Sequence, residues 1–165
     1  GHIKLRETRP FRTEPRGFVQ AKKSVFNKIV GEGRADGLEL DFAGFLEKAA
    51  DVQSFAKNYM AVGFKLDYVR ADGDLSNYTP DFIVRTKDGK VFIIETKGRE
   101  ELDVPQKMRR LKQWCEDATA ASKEDGGLEY GFVYVDEDSF RQHKPTTFAG
   151  LVASFTEYQG AGDGA

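Results

Sequence analysis

The chain has 165 residues, of which 39% are hydrophobic and 32% are charged, and its formal net charge is −2. This composition is typical of one globular domain with its own core, and it excludes a largely disordered chain. No apolar run approaches the roughly 20 residues that a membrane-spanning helix needs, so we expect no membrane partner. Because Cys115 is the only cysteine, it cannot form an internal disulfide, and we expect a reducing, cytoplasmic location.

The predicted domain spans residues 3–158. Its parts are a basic N-terminal arm and strand (3–35), a core (36–136) and a C-terminal helix (137–158), with Gly1-His2 typical of a cloning scar and 159–165 of a flexible tail. Residues 3–23 carry seven basic and two acidic side chains, whereas residues 116–165 carry three basic and ten acidic ones. This asymmetry permits a local basic face for a polyanion, although a solvated arm and tail explain it equally well.

In chain order, the first predicted strand is SVFNKIV (24–30), and GEGRADG (31–37) follows it as a flexible joint. A helix is predicted from about residue 37 because apolar side chains then recur at helical spacing. They are Leu38, Phe42, Phe45, Leu46 and Ala49. Asp36 and Glu39, at the start of this helix, match a capping box.

Three strands follow, FKLDYVR (64–70), DFIVRT (81–86) and KVFIIETK (90–97). A second helix is predicted to begin at Asp103, with Pro105 in its first turn. Its apolar side is made by Val104, Met108, Leu111, Trp114, Cys115 and Ala118. YGFVYV (130–135) is a further buried strand, and a closing helix is predicted over 147–158. This order of elements predicts an α/β fold with a mixed central sheet flanked by helices.

The turn between the strands predicted at 81–86 and 90–97 decides whether Asp81 and Glu95 lie on the same face of the sheet. A two-residue turn at Asp88-Gly89 places Asp81 across from Thr96. A three-residue loop with Gly89 at positive φ pairs Thr86 with Lys90 and places Asp81 directly across from Glu95. Both turns suit the sequence, and we choose the three-residue loop. Lys97, two residues after Glu95, then points to the same face of the sheet.

Two carboxylates directly opposite one another destabilise a sheet. A divalent cation removes this penalty, because hard cations take carboxylate oxygens and Mg²⁺ commonly uses only one or two of them together with waters. The pattern therefore indicates a metal site at Asp81 and Glu95. The alternative is two unrelated carboxylates at a wet sheet edge beside a lysine that reaches into solvent.

Pro80-Asp81, followed after a gap of thirteen residues by Glu95-Thr96-Lys97, resembles the PD-(D/E)xK nuclease signature. The longer string, YTPDFIV, then IIETKGRE, then a helix containing WCE, is similar to the C-terminal endonuclease domain of type III restriction enzyme restriction (Res) subunits. LELDFAGFLEKAADVQSFAKN is also similar to that family's leading helix and the segment after it. The resemblance covers about residues 20–136 and implies a restriction-endonuclease-like αβββαβ core.

The resemblance implies a Mg²⁺-dependent DNA endonuclease, with Mn²⁺ as a substitute for Mg²⁺. Asp81 and Glu95 would bind the cation with help from the Thr96 carbonyl. Lys97 would orient the attacking water and stabilise charge on the phosphate. Glu39 matches an acidic residue that many of these nucleases add to the site, with Glu47 as second candidate. The alternative for Glu39 is that it serves only as the third residue of the capping box.

The second predicted helix also carries candidates for DNA contacts. Lys107 and Arg110, at i and i+3, share one face that suits phosphates, and Gln106 is adjacent. The alternative is a solvated helix face. Trp114 is predicted to be a core residue rather than a stacking platform for bases.

The sequence contains no G-x-x-x-x-G-K-[ST] phosphate loop. Whole Res subunits carry an ATP-dependent helicase motor, so the resemblance implies an excised nuclease domain. ATP would act only through that motor, in the same full-length polypeptide, and a modification methyltransferase subunit would read the DNA site. Two other readings remain open: a non-catalytic DNA-binding or structural module with the same fold, and an unrelated α/β interaction domain.

Overall fold

A mixed four-stranded sheet forms the centre of the protein. The computed structural model describes residues 4–11, 18–30, 37–97 and 102–160. The strands of the central sheet, in spatial order, are β3 (Val52–Lys57), β6 (Phe82–Thr86), β7 (Val91–Lys97) and β8 (Tyr130–Asp136). The first three pair antiparallel, and β8 runs parallel to β7. The chain reaches β8 from β7 through helix α2 (Val104–Ser122), as a parallel connection requires.

Two hairpins, three further α-helices and three short 3-10 helices make up the rest of the regular structure in the described residues. The hairpins are β1 (Phe18–Gln20) with β2 (Lys28–Val30), and β4 (Leu66–Val69) with β5 (Leu75–Tyr78). The helices are α1 (Gly37–Lys48), α3 (Glu137–His143) and α4 (Phe148–Ser154). The mixed α/β class and the helix-covered mixed sheet predicted from the sequence are therefore confirmed.

Both faces of the sheet are buried, which explains why β6 and β7 are almost continuously apolar. On one face, Phe82, Val84 and Ile94 pack in a cluster with α1 and α4. On the other face, Ile93 packs with α2 and the β4–β5 hairpin, and Ile83 borders this second cluster. Alternate residues of each strand thus point to different helical layers, and a side chain's layer is set by its position in the strand.

The loop between β6 and β7 is the predicted three-residue loop. The Thr86 N–H donates to the Lys90 carbonyl at 2.9 Å, and the Gly89 N–H donates to the Thr86 carbonyl at 3.0 Å. Gly89 has a φ of 87°, a conformation that costs glycine nothing and a side chain considerably more. The Thr86 hydroxyl also bonds the Asp88 carboxylate. The register that follows pairs Phe82 with Ile94, as predicted.

Both long predicted helices are present. Helix α1 begins at Gly37 and buries the apolar positions Leu38, Phe42 and Leu46. Helix α2 begins after Asp103 with Pro105 in its first turn and buries four of its predicted apolar residues. Trp114 is half-buried and packs edge-on against Phe64 and Tyr130, with ring centroids 5.0 Å and 5.6 Å away. Its predicted core role is confirmed.

The prediction that 64–70 supplies the first strand of the central sheet is wrong. Residues 66–69 do form a strand, but it pairs only with β5 in a separate hairpin. The sheet instead begins with β3, which the sequence did not predict. Its burial pattern is irregular, and its register with β6 shifts between Val52 and Ser54. A bulged strand that carries a buried lysine lacks the alternation by which strands are recognised.

The ends of the domain also differ from the prediction. The strand predicted over 24–30 is shortened to β2, and Ser24 makes an isolated bridge to Phe55. The single helix predicted over 147–158 is wrong. α4 ends at Ser154, and α3, which was not predicted, precedes it and is separated from it by Lys144 at a φ of 44° and then by Pro145.

Some predicted features lie wholly or partly outside the described residues. These are the joint at 31–36, with Asp36 of the capping box, and residues 161–165 of the tail. Residues 159 and 160 of the predicted tail are described, and their carbonyls accept hydrogen bonds from Lys112 at 3.1 Å.

We predict that Gly89→Ala and Gly44→Ala change stability in opposite directions. Gly89→Ala forces an alanine to positive φ and should lower the free energy of unfolding by about 1 kcal/mol or more. Gly44 lies inside α1 with nothing within 4 Å of an added Cβ, so Gly44→Ala should raise it by about 0.5–1 kcal/mol. Urea unfolding of both variants measures this. A Gly89→Ala protein as stable as wild type would contradict the proposed role of the loop.

Candidate functional site

The register of β6 and β7 brings the predicted site residues to one end of the sheet. Asp81 immediately precedes β6, and Glu95 and Lys97 lie in the last three residues of β7. Phe82 pairs with Ile94, so Asp81 and Glu95 are the next pair along. Glu95 and Lys97 share the face of Ile93, which packs towards α2.

Asp81 makes its closest contacts with Thr96. Oδ2 of Asp81 accepts hydrogen bonds from both the Thr96 N–H and the Thr96 hydroxyl, each at 2.8 Å. Burial raises the pKa of Asp81 well above its usual value, and the charges of Glu95 and Glu39 raise it further, while the Thr96 bonds act in the opposite direction. Asp81 is thus paired with Glu95 as predicted, but its carboxylate is held by the next residue of β7.

Glu95 is 2% exposed and is held from two sides. Its Oε1 lies 3.2 Å from Nζ of Lys97, and its Oε2 accepts a hydrogen bond from the Tyr78 hydroxyl at 2.5 Å. Burial raises the pKa of Glu95 to about 7, and Lys97, Tyr78 and Lys107 limit the rise. A carboxyl with such a pKa sits between charged and neutral forms near neutral pH, which is typical of functional sites.

Tyr78 is a site residue that the sequence analysis missed. It ends β5 and is 3% exposed, and burial together with Glu95 raises its pKa well above the usual value. Tyr78 lies only three residues before Asp81, but no local pattern indicates its partner. Because the β4–β5 hairpin stands outside the central sheet, only the tertiary structure brings this hydroxyl to Glu95.

Glu39 lies in the first turn of α1, on the opposite side of the sheet from α2. Its Oε2 is 2.9 Å from Nζ of Lys57, a lysine of β3 whose side chain is only 3% exposed. Lys57 also donates to the Val30 carbonyl at 2.9 Å. The charge of Glu39 nevertheless acts on Asp81, since it contributes to the raised pKa of that residue. Glu39 thus belongs to the electrostatic surroundings of Asp81, and it is ion-paired with a lysine that the sequence did not reveal.

Glu47, the second candidate for that role, is used elsewhere. Its two carboxylate oxygens accept hydrogen bonds from the backbone N–H groups of Lys22 and Lys23, at 2.8 Å and 3.1 Å. It therefore anchors the segment before β2 to α1.

The predicted DNA-contacting residues of α2 face the β4–β5 hairpin in part. Nζ of Lys107 lies 5.6 Å from the ring centroid of Tyr78 and 5.9 Å from that of Tyr68. Nε of Arg110 donates to the Asp67 carbonyl at 3.0 Å. Oε1 of Gln106 is buried, with no hydrogen-bond partner among the described residues. Lys107 and Arg110 therefore contact the β4–β5 hairpin within the protein. The predicted contacts with phosphates stay a prediction.

The part of the chain that the structure describes contains no group of three or more His, Cys, Asp or Glu side chains at metal-ligand spacing. Asp81 and Glu95 are a pair, and Glu39 acts on Asp81 through its charge. The site can therefore offer a cation two carboxylates at most from these residues, together with backbone carbonyls, waters and a substrate.

Comparison of the chain with known proteins gives no match to a protein-family model, a curated protein or a solved structure. Within the described ranges, no helix is both long and apolar enough to cross a bilayer. The resemblance to nucleases therefore depends on the sequence motif.

We predict that the metal-free protein loses stability as pH rises. Burial raises the pKa of Glu95 from 4.5 to about 7, so its contribution to stability is complete below 4.5 and is lost as pH rises through 7. The loss should be roughly 3 kcal/mol between about pH 4 and pH 8. Urea unfolding at fixed ionic strength, with chelator present, measures it. Glu95→Gln should lose much less over the same range, and an equal loss in both proteins would contradict the assignment to Glu95.

Proposed function

We propose that this chain is a Mg²⁺-dependent DNA endonuclease domain with a restriction-endonuclease-like αβββαβ core, excised from a type III restriction (Res) subunit. The order of elements supports this fold. A helix leads into three antiparallel strands, β3, β6 and β7, and a second helix connects them to the parallel strand β8. The β4–β5 hairpin is then an insertion between the first two strands of the core.

The observation that carries the proposal is the meeting of Asp81, Glu95 and Lys97 at the ends of two adjacent strands. Burial raises the pKa of Asp81 well above its usual value, and the neighbouring charges of Glu95 and Glu39 raise it further. Like charges brought together in a partly buried site lower the stability of the fold unless a ligand compensates them. A divalent cation bound there would favour the ionised form of both carboxylates.

The residues present fit Mg²⁺. This cation is usually held by one or two carboxylates, with waters and substrate phosphates as its other ligands. Asp81 uses Oδ2 for Thr96, so its Oδ1 would be the oxygen that binds the cation. Asp81, Glu95 and the Thr96 carbonyl would hold the cation, and Mn²⁺ would substitute for it. When bound, Mg²⁺ supplies a Lewis acid for a phosphoryl oxygen and lowers the pKa of a coordinated water.

Lys97 supplies the positive charge that phosphodiester cleavage requires. Its side chain is 17% exposed, so the ammonium can exchange its contact with Glu95 for an attacking water and a phosphate oxygen. An ammonium is a compact charge whose effect increases where water is excluded. Glu39 would add to the negative potential at the cation, with its own position held by Lys57.

Double-stranded DNA is the proposed substrate, with Gln106, Lys107 and Arg110 as contacts on α2. Of these, Lys107 stands nearest the site, since its charge acts on Glu95. In the full protein, the helicase motor would use ATP, and the methyltransferase subunit would select the DNA sequence. A cytoplasmic location follows from the same proposal.

A non-catalytic DNA-binding or structural module is the second candidate, and one observation favours it. The charged groups at the site have protein partners: Lys97 contacts Glu95 at 3.2 Å, and Lys57 contacts Glu39 at 2.9 Å. A network of this kind could serve only to satisfy buried charges. Measurements of cleavage and of metal binding separate the two candidates.

We predict that Lys97→Ala abolishes cleavage while leaving Mn²⁺ affinity nearly intact, because the lysine acts on water and phosphate. The loss of rate should be at least about a hundredfold. Cleavage should be measured with the domain in its full motor complex, and Mn²⁺ binding by calorimetry. Lys48→Ala removes an equal charge from the exposed end of α1 and serves as the control. Wild-type rates in Lys97→Ala would remove Lys97 from the mechanism.

We predict that Asp81→Asn raises the melting temperature of the metal-free protein, because the amide oxygen can still accept from Thr96 without the charge. Wild type should gain stability from Mn²⁺, about 2.7 kcal/mol at a hundredfold excess over Kd, and the variant should gain little. Thermal melts with and without metal test both effects. Asp67→Asn, at an exposed position of β4, is the control. If Asp81→Asn is destabilised and responds to metal as wild type does, Asp81 is only structural.

A further inference from the structure

The β4–β5 hairpin contributes one side chain, Tyr78, directly to the proposed site. The Tyr78 hydroxyl donates to Oε2 of Glu95 at 2.5 Å, and both residues are almost fully buried. We propose that Tyr78 is a positioning residue, whose hydroxyl holds the Glu95 carboxylate in the orientation that binds a divalent cation. This inference rests on the proposed function and adds to it a residue that the nuclease motif does not contain.

The contacts of Glu95 with Tyr78 and Lys97 fix the orientation of its carboxylate without using all of its acceptor positions. Tyr78 occupies one lone pair of Oε2, and Lys97 approaches Oε1 at 3.2 Å. An ionised carboxylate offers about four acceptor positions, so two remain for a cation or its waters. Without Tyr78, the Glu95 carboxylate would depend on its contact with Lys97 for its orientation. That lysine is the group that must leave Glu95 to act on a phosphate, so a second, permanent contact is required.

Tyr78 is itself held rigidly enough to position another group. Its backbone pairs with Leu66 across the hairpin, and Nζ of Lys107 lies 5.6 Å from its ring centroid. The hairpin is tied to α2 at two points. Nε of Arg110 donates to the Asp67 carbonyl, and Oδ1 of Asp103 accepts from the Ala71 N–H, both at 3.0 Å.

These ties identify what the hairpin does for the site. The hairpin forms no part of the central sheet, and its exposed tip is fastened to the start of α2 through Asp103. Together, α2 and the hairpin make a frame over the face of the sheet that carries Glu95. From this frame, the Tyr78 hydroxyl donates the hydrogen bond to the Glu95 carboxylate. Removal of a group that orients a metal ligand in this way typically lowers metal affinity by about 10- to 100-fold.

Mn²⁺ binding at fixed pH and ionic strength, followed by electron paramagnetic resonance of the free ion, tests the inference. The proteins are wild type, Tyr78→Phe, Tyr68→Phe and Glu95→Gln. Tyr78→Phe keeps the ring and removes only the hydroxyl, and we expect its Kd for Mn²⁺ to rise about tenfold or more. Tyr68 is a matched control, since it is 6% exposed and its ring lies 5.9 Å from Nζ of Lys107. Tyr68→Phe should bind as wild type does.

The outcomes distinguish failure of this inference from failure of the proposed function. If Tyr78→Phe binds Mn²⁺ as tightly as wild type, or more tightly, while Glu95→Gln does not bind, the metal site stands and the positioning role is overturned. If Glu95→Gln binds Mn²⁺ as wild type does, the metal site is overturned and the positioning role with it.

A second measurement keeps the hydroxyl and covers the case in which Tyr78→Phe does not fold. With 3-fluorotyrosine placed at position 78 of an otherwise unchanged chain, the ¹⁹F resonance reports on the hydrogen bond to Glu95. A positioning residue should show a shift of this resonance on addition of Mg²⁺, and no shift in the Glu95→Gln background. The same label at position 68 should not respond. A resonance at position 78 that does not respond to Mg²⁺ overturns the inference.

Discussion

The three-residue loop between Thr86 and Lys90 sets the register of β6 on β7, and the site depends on that register. Side chains alternate along a strand with a period of two, so a slip of one residue would move Glu95 from the α2 face to the α1 face. It would also remove Asp81 from its position opposite β7. Gly89, at a φ of 87°, makes the loop possible without strain. One residue with no side chain therefore determines where two carboxylates meet.

The acidic side chains at this end of the sheet need hydrogen-bond or ion-pair partners from the elements packed around them. The Glu95 carboxylate is held by Tyr78 and Lys97 and the Asp81 carboxylate by Thr96, and Glu39 forms an ion pair with a lysine of β3. These contacts offset only part of the cost, because the pKa of Glu95 is still raised to about 7. The apolar clusters on both faces of the sheet supply the stability that allows this cost. Such a balance is common where function requires charges in an apolar setting.

The two faces of the sheet contribute differently to the site. The α1 face brings Glu39, whose charge acts on Asp81, and the lysine that pairs with Glu39. The α2 face brings Lys107 and, through the β4–β5 hairpin, Tyr78. Asp81 lies between the two faces, just outside β6, and its carboxylate accepts a hydrogen bond from the Thr96 hydroxyl. Because side chains alternate along β7, Thr96 lies on the α1 face, opposite to Glu95. At this end of the sheet, the charge of Glu39 from the α1 face and that of Glu95 from the α2 face both act on the Asp81 carboxylate.

The sequence by itself determined the elements whose patterns are local. The apolar periodicity of α1 and α2 and the runs of β6, β7 and β8 were predictable because propensity acts over a few residues. Turn chemistry limited the loop at Gly89 to two alternatives, and the structure has the one that pairs Asp81 with Glu95. Only the tertiary structure decided that β3, and not the alternating strand at 66–69, begins the sheet, and that Tyr78 and Lys57 hold the acidic side chains. Those choices depend on which segments meet across long stretches of chain. Contacts of that kind leave no periodic signal in the sequence, since a buried lysine or tyrosine is identified by its partner and not by its neighbours.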